Sequence, residues 1–307
     1  MDGINIIWTV KPQAGITTDW EVDWFRELFG KLKIRIIFDD SLETVRNRSI
    51  LVVNANDYDR DRAGYGEKLK KYISLASEKG YKIAVMQIGD EYYHAPTDFY
   101  GEVEFVIRNH YTEKLNEHDN VYFLPLGYKK GFWDGCKDFL PKLAKDRKYN
   151  WSFIGQVINK PTRHMMISSA FRIPYGFAYS NAKWEDMKSM GMGDYRNVLS
   201  ESVFILCPRG WENPDSFRLC EALEAGSIPV TERANGYFEG MFGPKNRMNE
   251  GFRMGYPVPS VKSWDDFPEL FHSTNANLTQ KRCIFWWGCY KDHLKEKIRS
   301  LVEEKLL

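Results

Sequence analysis

Short apolar runs alternate along the chain with amphipathic stretches. Ile4–Val10, Ile34–Asp40, Ser49–Asp57, Lys82–Glu91, Glu104–Tyr111 and Val121–Tyr128 have the length and composition of strands. Several are apolar throughout, as strands covered on both faces are. Between them, Asp19–Lys31 and Gly66–Lys79 carry helical spacing. Leu69, Tyr72, Ile73 and Ala76 fall at i, i+3, i+4 and i+7, and Gly80 supplies a stop. Strand and helix in alternation predict a mostly parallel α/β sheet.

Lys129–Lys148 is charged and broken by Gly and Pro, which reads as a linker. A second series follows: a strand at Tyr149–Val157, a helix near Thr162–Phe171, a strand over Arg172–Ala178, and a helix at Asp194–Ser202. Then come a strand at Val203–Leu206, a helix at Ser216–Ala225, a strand at Ser227–Val230, and a terminal segment, Leu278–Leu307, strongly helical from about Tyr290. The expected organisation is an N-terminal α/β domain over 1–140, completed by a C-terminal helix over 283–307, and a second α/β domain over 141–282. Ligands in such sheets bind beyond the carboxyl ends of the strands, and two such domains facing each other make a cleft.

Composition narrows the function. The 307 residues are 43% hydrophobic, enough for a substantial core, and the net charge is +1. No global field draws such a chain to nucleic acid or to an anionic membrane, so anion binding has to be local. The five cysteines form no Cys-x-x-Cys pair and are odd in number, which points to a reducing compartment without a disulfide frame or zinc cluster. The N-terminus lacks the pattern of a signal peptide, and no run is long and apolar enough to span a bilayer. A cytoplasmic protein is expected.

The densest chemistry lies in Cys207–Val230, "CPRGWENPDSFRLCEALEAGSIPV". A buried strand ends there in a turn that opens a helix. Asn213 or Asp215 can cap that helix, Pro214 suits its first turn and Gly226 ends it. Arg218 falls in the first turn, where the helix dipole disfavours a cation by up to about 1 kcal/mol. An anion at that end reverses the sign. Free N–H groups, the dipole, Arg218, Arg209 and the Ser216 hydroxyl would all favour a phosphate. Glu221, one turn on, is placed for a sugar hydroxyl. The plain alternative is that Arg218 pairs with Glu221 or Glu212. Arg163 follows a second strand-end turn, "FIGQ", and can reach the same phosphates or stay a surface residue.

Tyr195–Val230, preceded by "WSFIGQ" at Trp151–Gln156, resembles the donor half of exostosin-type glycosyltransferases. The carrying features are a Tyr/Arg helix, Ser-x-Phe-x-Leu, a Pro-Arg-Gly turn, a Ser and an Arg opening a helix, and Glu-Ala-Leu-x-x-Gly-x-Ile-Pro-Val. The N-terminal half is only vaguely similar. The resemblance implies a GT-B fold: two Rossmann-like domains across a cleft, acceptor-binding then donor-binding, with a C-terminal helix crossing back to the first. It implies inverting transfer of a sugar from a nucleotide donor, most often a UDP-sugar such as UDP-xylose or UDP-glucuronate, to a glycan hydroxyl, with no obligatory metal. It places diphosphate contacts at Arg209, Ser216 and Arg218 and the ribose contact at Glu221.

Inversion needs a base within hydrogen-bond reach of the acceptor hydroxyl. Three acidic clusters in the first half qualify: Asp90 and Glu91; Asp57, Asp59 and Asp61; and Asp19, Glu21 and Asp23. Asp90 and Glu91 are favoured, then Asp57 and Asp19, with Arg108 and His110 to orient the carboxylate and His94 as a substitute. Tyr92, Tyr93, Trp8, Trp20 and Trp24 can stack on sugar rings or serve the core. Three rivals remain: a GDP-fucose-dependent fucosyltransferase, a metal-dependent GT-A enzyme using Asp57 and Asp59, and a non-catalytic carbohydrate-binding protein.

Overall fold

The structure, a computed structural model, describes residues 3–9, 19–39, 41–55, 62–136, 139–158, 160–180 and 190–307. Asp57, Asp59 and Asp61 lie outside them. The chain divides into two compact units. Unit 1 holds Met1–Pro125, Gly236–Arg253 and Lys291–Leu307; unit 2 holds Leu126–Asn235 and Met254–Tyr290.

Unit 1 is built on a six-stranded parallel sheet. Its strands are β1 (Ile4–Trp8), β2 (Ile34–Phe38), β3 (Ser49–Asn54), β4 (Ile83–Ile88), β5 (Val106–Arg108) and β6 (Val121–Phe123), in the order β2-β1-β3-β4-β5-β6. β4 is buried at every position, apolar but for Gln87, which accepts from Tyr100 Oη, whereas the edge strand β2 stays half-exposed. Helices α1 (Val22–Leu28) and α2 (Arg62–Glu78) follow β1 and β3. Trp8 and Trp24 are core residues: Trp8 packs on Phe25 and Phe38, and Trp24 donates its indole N–H to Pro125 O.

Unit 2 carries a five-stranded parallel sheet. Its strands are β7 (Tyr149–Ile154), β8 (Gly176–Tyr179), β9 (Ser202–Cys207), β10 (Ile228–Glu232) and β11 (Ser260–Val261), in the order β11-β10-β9-β7-β8. Helices α3 (Pro161–Ala170), α4 (Met192–Ser200) and α5 (Phe217–Glu224) connect the first four, and α6 (Tyr237–Phe242), α7 (Phe267–Ser273) and α8 (Ala276–Lys305) follow. The core of this unit joins Trp151, Phe153, Phe204, Leu206, Ile228 and Val230 to Met166 of α3 and Phe267 of α7. Burying each such side chain is worth about 1.5–3 kcal/mol. The two parallel α/β sheets match the expected class.

The units divide elsewhere than at residue 140. The segment taken for a linker belongs to unit 2: Arg196 of α4 donates to Phe132 O and Asp134 O at 2.5 and 3.1 Å. Its Arg147, almost wholly buried, donates to Leu199 O, Ser202 O, Ala225 O and Gly226 O, tying the carboxyl ends of α4 and α5. Residues 236–253 return to unit 1, where the Asn246 amide bonds Phe123 N and O, the last residue of β6. The terminal helix is one element from Ala276, with its residues from Lys291 counted in unit 1 rather than from 283.

Candidate functional site

In the second sheet, β8 lies on one side of β7 and β9 on the other. The connections leaving β7 and β9 therefore part in opposite directions. Their carboxyl ends form a topological switch point, where open α/β sheets hold ligands. The two loops concerned are those after Ile154 and after Cys207, the ones carrying the densest chemistry in the sequence.

Three arginines meet there. Arg163 reaches from α3 and donates to Gln156 O at 2.7 Å and to Arg209 O at 2.9 Å, so it bridges both loops. Arg209 donates to Glu212 O and is exposed. Arg218, from the first turn of α5, donates through Nε and Nη2 to Ile154 O at 3.1 and 2.7 Å and lies over the Phe153 ring at 4.7 Å. Gly155 makes that approach possible: it has φ 153°, and a Cβ there would lie 2.5 Å from Arg218 Nη2. The alternative pairing of Arg218 with Glu221 or Glu212 does not occur. All three guanidiniums bond main-chain carbonyls, and none has a carboxylate ion-pair partner among the described residues. Burial, then the charge of Arg218, pushes Arg163 down to about 10, so it remains a cation at neutral pH.

Helix α5 begins at Phe217, with Ser216 as N-cap. Neither Asn213 nor Asp215 caps it. Asn213 O accepts from Gly210 N at 2.8 Å, which closes the loop upon itself, and the chain is still extended at Ser216, with φ −156°. The Ser216 side chain makes no cap hydrogen bond, and its buried Oγ has no partner. Gly226, at φ 63°, ends the helix as its position predicts.

Glu221 is 2% exposed, although its spacing suggested an open face. Its carboxylate accepts from Tyr195 Oη at 2.6 Å and from Lys129 N at 3.3 Å. Two oxygens with about four lone-pair sites leave acceptor capacity beyond these two bonds. Burial and the neighbouring Glu221 carboxylate raise the Tyr195 phenol well above its ordinary value, so it stays a donor. Tyr195 lies within the donor-half motif, whose sequence assigns it no task, and Lys129 falls in the charged, Gly-bearing stretch that reads as a linker. Tyr195 and Glu221 lie 26 positions apart and meet because α4 packs against α5, which no local spacing signals.

In unit 1, Asp90 and Arg108 come together. Arg108 Nη2 donates to Asp90 Oδ2 at 2.5 Å, with the side chains 1% and 5% exposed. Arg108 also bonds Gln87 Oε1 and Tyr100 Oη, while Asp90 Oδ1 accepts from His94 N at 3.0 Å and Ala95 N at 3.4 Å. Asp90 thereby fixes the loop that follows β4. That loop carries Glu91, exposed Tyr92 stacked on His94 at 5.6 Å, and Tyr93 at φ 56° with its hydroxyl donating to Tyr111 O. Asp19 and Glu21 are buried at the start of α1. Among the described residues there is no group of three or more His, Cys, Asp and Glu arranged to hold a metal, and no helix long and apolar enough to cross a membrane.

Residues 136–307 match the family described as RXYLT1 C-terminal domain. No curated protein matches the chain. Three solved structures are similar at low identity. The GtfA/B complex has 11% identity and TM-score 0.48 over 86% of this chain, which spans 59% of that one. The glycotransferase of kitacinnamycin has 9% identity and TM-score 0.49, with full coverage of both chains. An alpha1,3-fucosyltransferase has 11% identity and TM-score 0.46 over 94% of this chain and 90% of its own. At these values the structures say nothing of substrate or mechanism. The family match spans more than half of the sequence and includes every arginine of the switch point. The chain belongs to the RXYLT1 C-terminal domain family, an exostosin-like family of glycosyltransferases.

Proposed function

We propose that the chain transfers a sugar, with inversion and without a metal, from a UDP-sugar to a glycan hydroxyl. The observation that carries the reading is the gathering of Arg163, Arg209 and Arg218 at the switch point with only carbonyl partners. Like charges held together in a partly buried place repel one another. A diphosphate removes that cost and gains charge-assisted hydrogen bonds of about 1.5–3 kcal/mol each.

In this reading the diphosphate sits at the first turn of α5, on Ser216 Oγ, the N–H groups of the turn and the three arginines. Glu221 takes the ribose hydroxyls, held in place by Tyr195. During transfer the bond from the anomeric carbon to the diphosphate oxygen breaks, and charge builds on the leaving group. Prearranged cations and N–H dipoles stabilise that charge. The acceptor hydroxyl attacks from the opposite face and gives its proton to a carboxylate. Glu91 is our choice of base, positioned by the Asp90–Arg108 pair, with Asp19 and Asp57 as the other carboxylates to test. UDP-xylose and UDP-glucuronate are the donors to try first.

The test is a panel of nucleotide sugars assayed for hydrolysis and thermal shift, with and without EDTA. The reading predicts that a UDP-sugar raises the melting temperature and is turned over in EDTA. Response to GDP-fucose alone would establish the fucosyltransferase alternative. Loss of turnover in EDTA would contradict the metal-free mechanism, and no response to any nucleotide would contradict the donor site itself.

A further inference from the structure

The segment after β6 contributes to unit 2 in a way its Gly-rich, lysine-bearing sequence disguises. Arg196 holds it at Phe132 O and Asp134 O, and the Phe132 ring packs edge-on to Tyr195 at 6.4 Å. Within it, Lys129 meets α5 twice. Its backbone N–H donates to Glu221 Oε1 at 3.3 Å, and its ammonium lies 5.4 Å from the centroid of the Phe217 ring. Phe217 is the first residue of α5 and directly follows Ser216, whose buried hydroxyl has no partner. Arg218 belongs to the same turn and extends its guanidinium to Ile154 O of β7. The first turn of α5 thus carries one cation of its own, Arg218, and a second, Lys129, is brought to its first residue from the segment after β6.

The geometry points to Lys129 as a further cation of the donor site, binding the diphosphate of the nucleotide sugar while its own backbone N–H positions Glu221. This rests on the donor-site reading above. An anion bound at the amino end of a helix is favoured both by the helix dipole and by a lysine held beside it. The aromatic ring beneath the ammonium limits where it can swing without removing its charge. A single residue then couples the phosphate end of the site to the carboxylate proposed for the ribose.

The experiment is calorimetric titration of UDP and of inorganic pyrophosphate into the wild type, Lys129→Met, Lys129→Gln and Lys129→Arg at several salt concentrations. The side-chain changes leave the backbone N–H to Glu221 in place. Removal of the charge should weaken both ligands about tenfold and flatten the salt dependence, since one phosphate contact of this kind is worth more than about 1.4 kcal/mol. Lys129→Arg should restore affinity to within about threefold, because it keeps the cation. Unchanged affinity and salt slope in Lys129→Met and Lys129→Gln would overturn the assignment, as would an equal loss in Lys129→Arg. Failure of the wild type to bind either ligand would instead remove the donor site on which it rests.

Discussion

Arg218 spends two of its donors on one carbonyl, Ile154 O, and lays its plane on Phe153. A carbonyl brings no charge to the guanidinium, whereas a diphosphate brings an opposite one, so the same donors gain more from the ligand than from the chain. Arg218→Gln should therefore lower UDP affinity by about 10- to 100-fold while costing only about 1 kcal/mol of stability, read by calorimetry and by denaturant melts. Equal losses in both would make Arg218 a packing residue. Asp90 behaves in the opposite way. Replacing one partner of a buried pair leaves the other charge uncompensated, so Asp90→Asn should destabilise unit 1 by about 3–5 kcal/mol. A variant that melts as the wild type but has no turnover would instead make Asp90 the base. The arginines were legible because turn residues, a helix start and cations coincide within one short stretch. The partner of Asp90 was not, because Arg108 lies 18 positions away and only sheet order brings β4 and β5 together.

At the level of elements, the strands were readable wherever both faces are covered, since β4 and β9 are apolar at every position but Gln87 and Ser202. Boundaries ran long at the carboxyl ends: β5 stops at Arg108, not Tyr111, because His110 turns into the left-handed region at φ 56°. Helices α6 and α7 and strand β11 escaped notice, being too short to show a period. The turn after β7 is the element on which the site depends most. Gly155 tolerates both its φ of 153° and the guanidinium against it. Gly155→Ala should push Arg218 off Ile154 O, with a strain of about 1–3 kcal/mol, and should weaken UDP binding about tenfold. Wild-type affinity in that variant would show that the lock is irrelevant to the donor.

Across the whole molecule, buried thiols and phenols set an alkaline limit. Burial raises Cys207 and Cys283 from 9.0 to about 12, and holds the Cys220 thiol and the Tyr195 and Tyr256 phenols well above their ordinary values. Each group keeps its proton when folded and loses it more readily when unfolded, so stability falls as pH rises. The contribution is complete below pH 9.0 and declines between there and about 12. Melting temperature measured across that range should be level and then fall; a level curve up to pH 12 would show that these groups are solvated. The two-unit architecture was legible in the alternation of elements, but the return of 236–253 to unit 1 was not. It is held by polar contacts of single residues far apart in the chain: Asn246 to Phe123 N and O, Arg247 to Asn116 O and Tyr237 Oη to Tyr111 N.

The place where the phosphates of a nucleotide sugar lie decides whether the first turn of α5 is the donor site. A crystal structure with UDP bound tests this most directly. The account predicts the diphosphate at the first turn of α5, within hydrogen-bond reach of Ser216 Oγ and of the Arg163 and Arg218 guanidiniums. A diphosphate bound anywhere else, with those three groups unchanged, would contradict it.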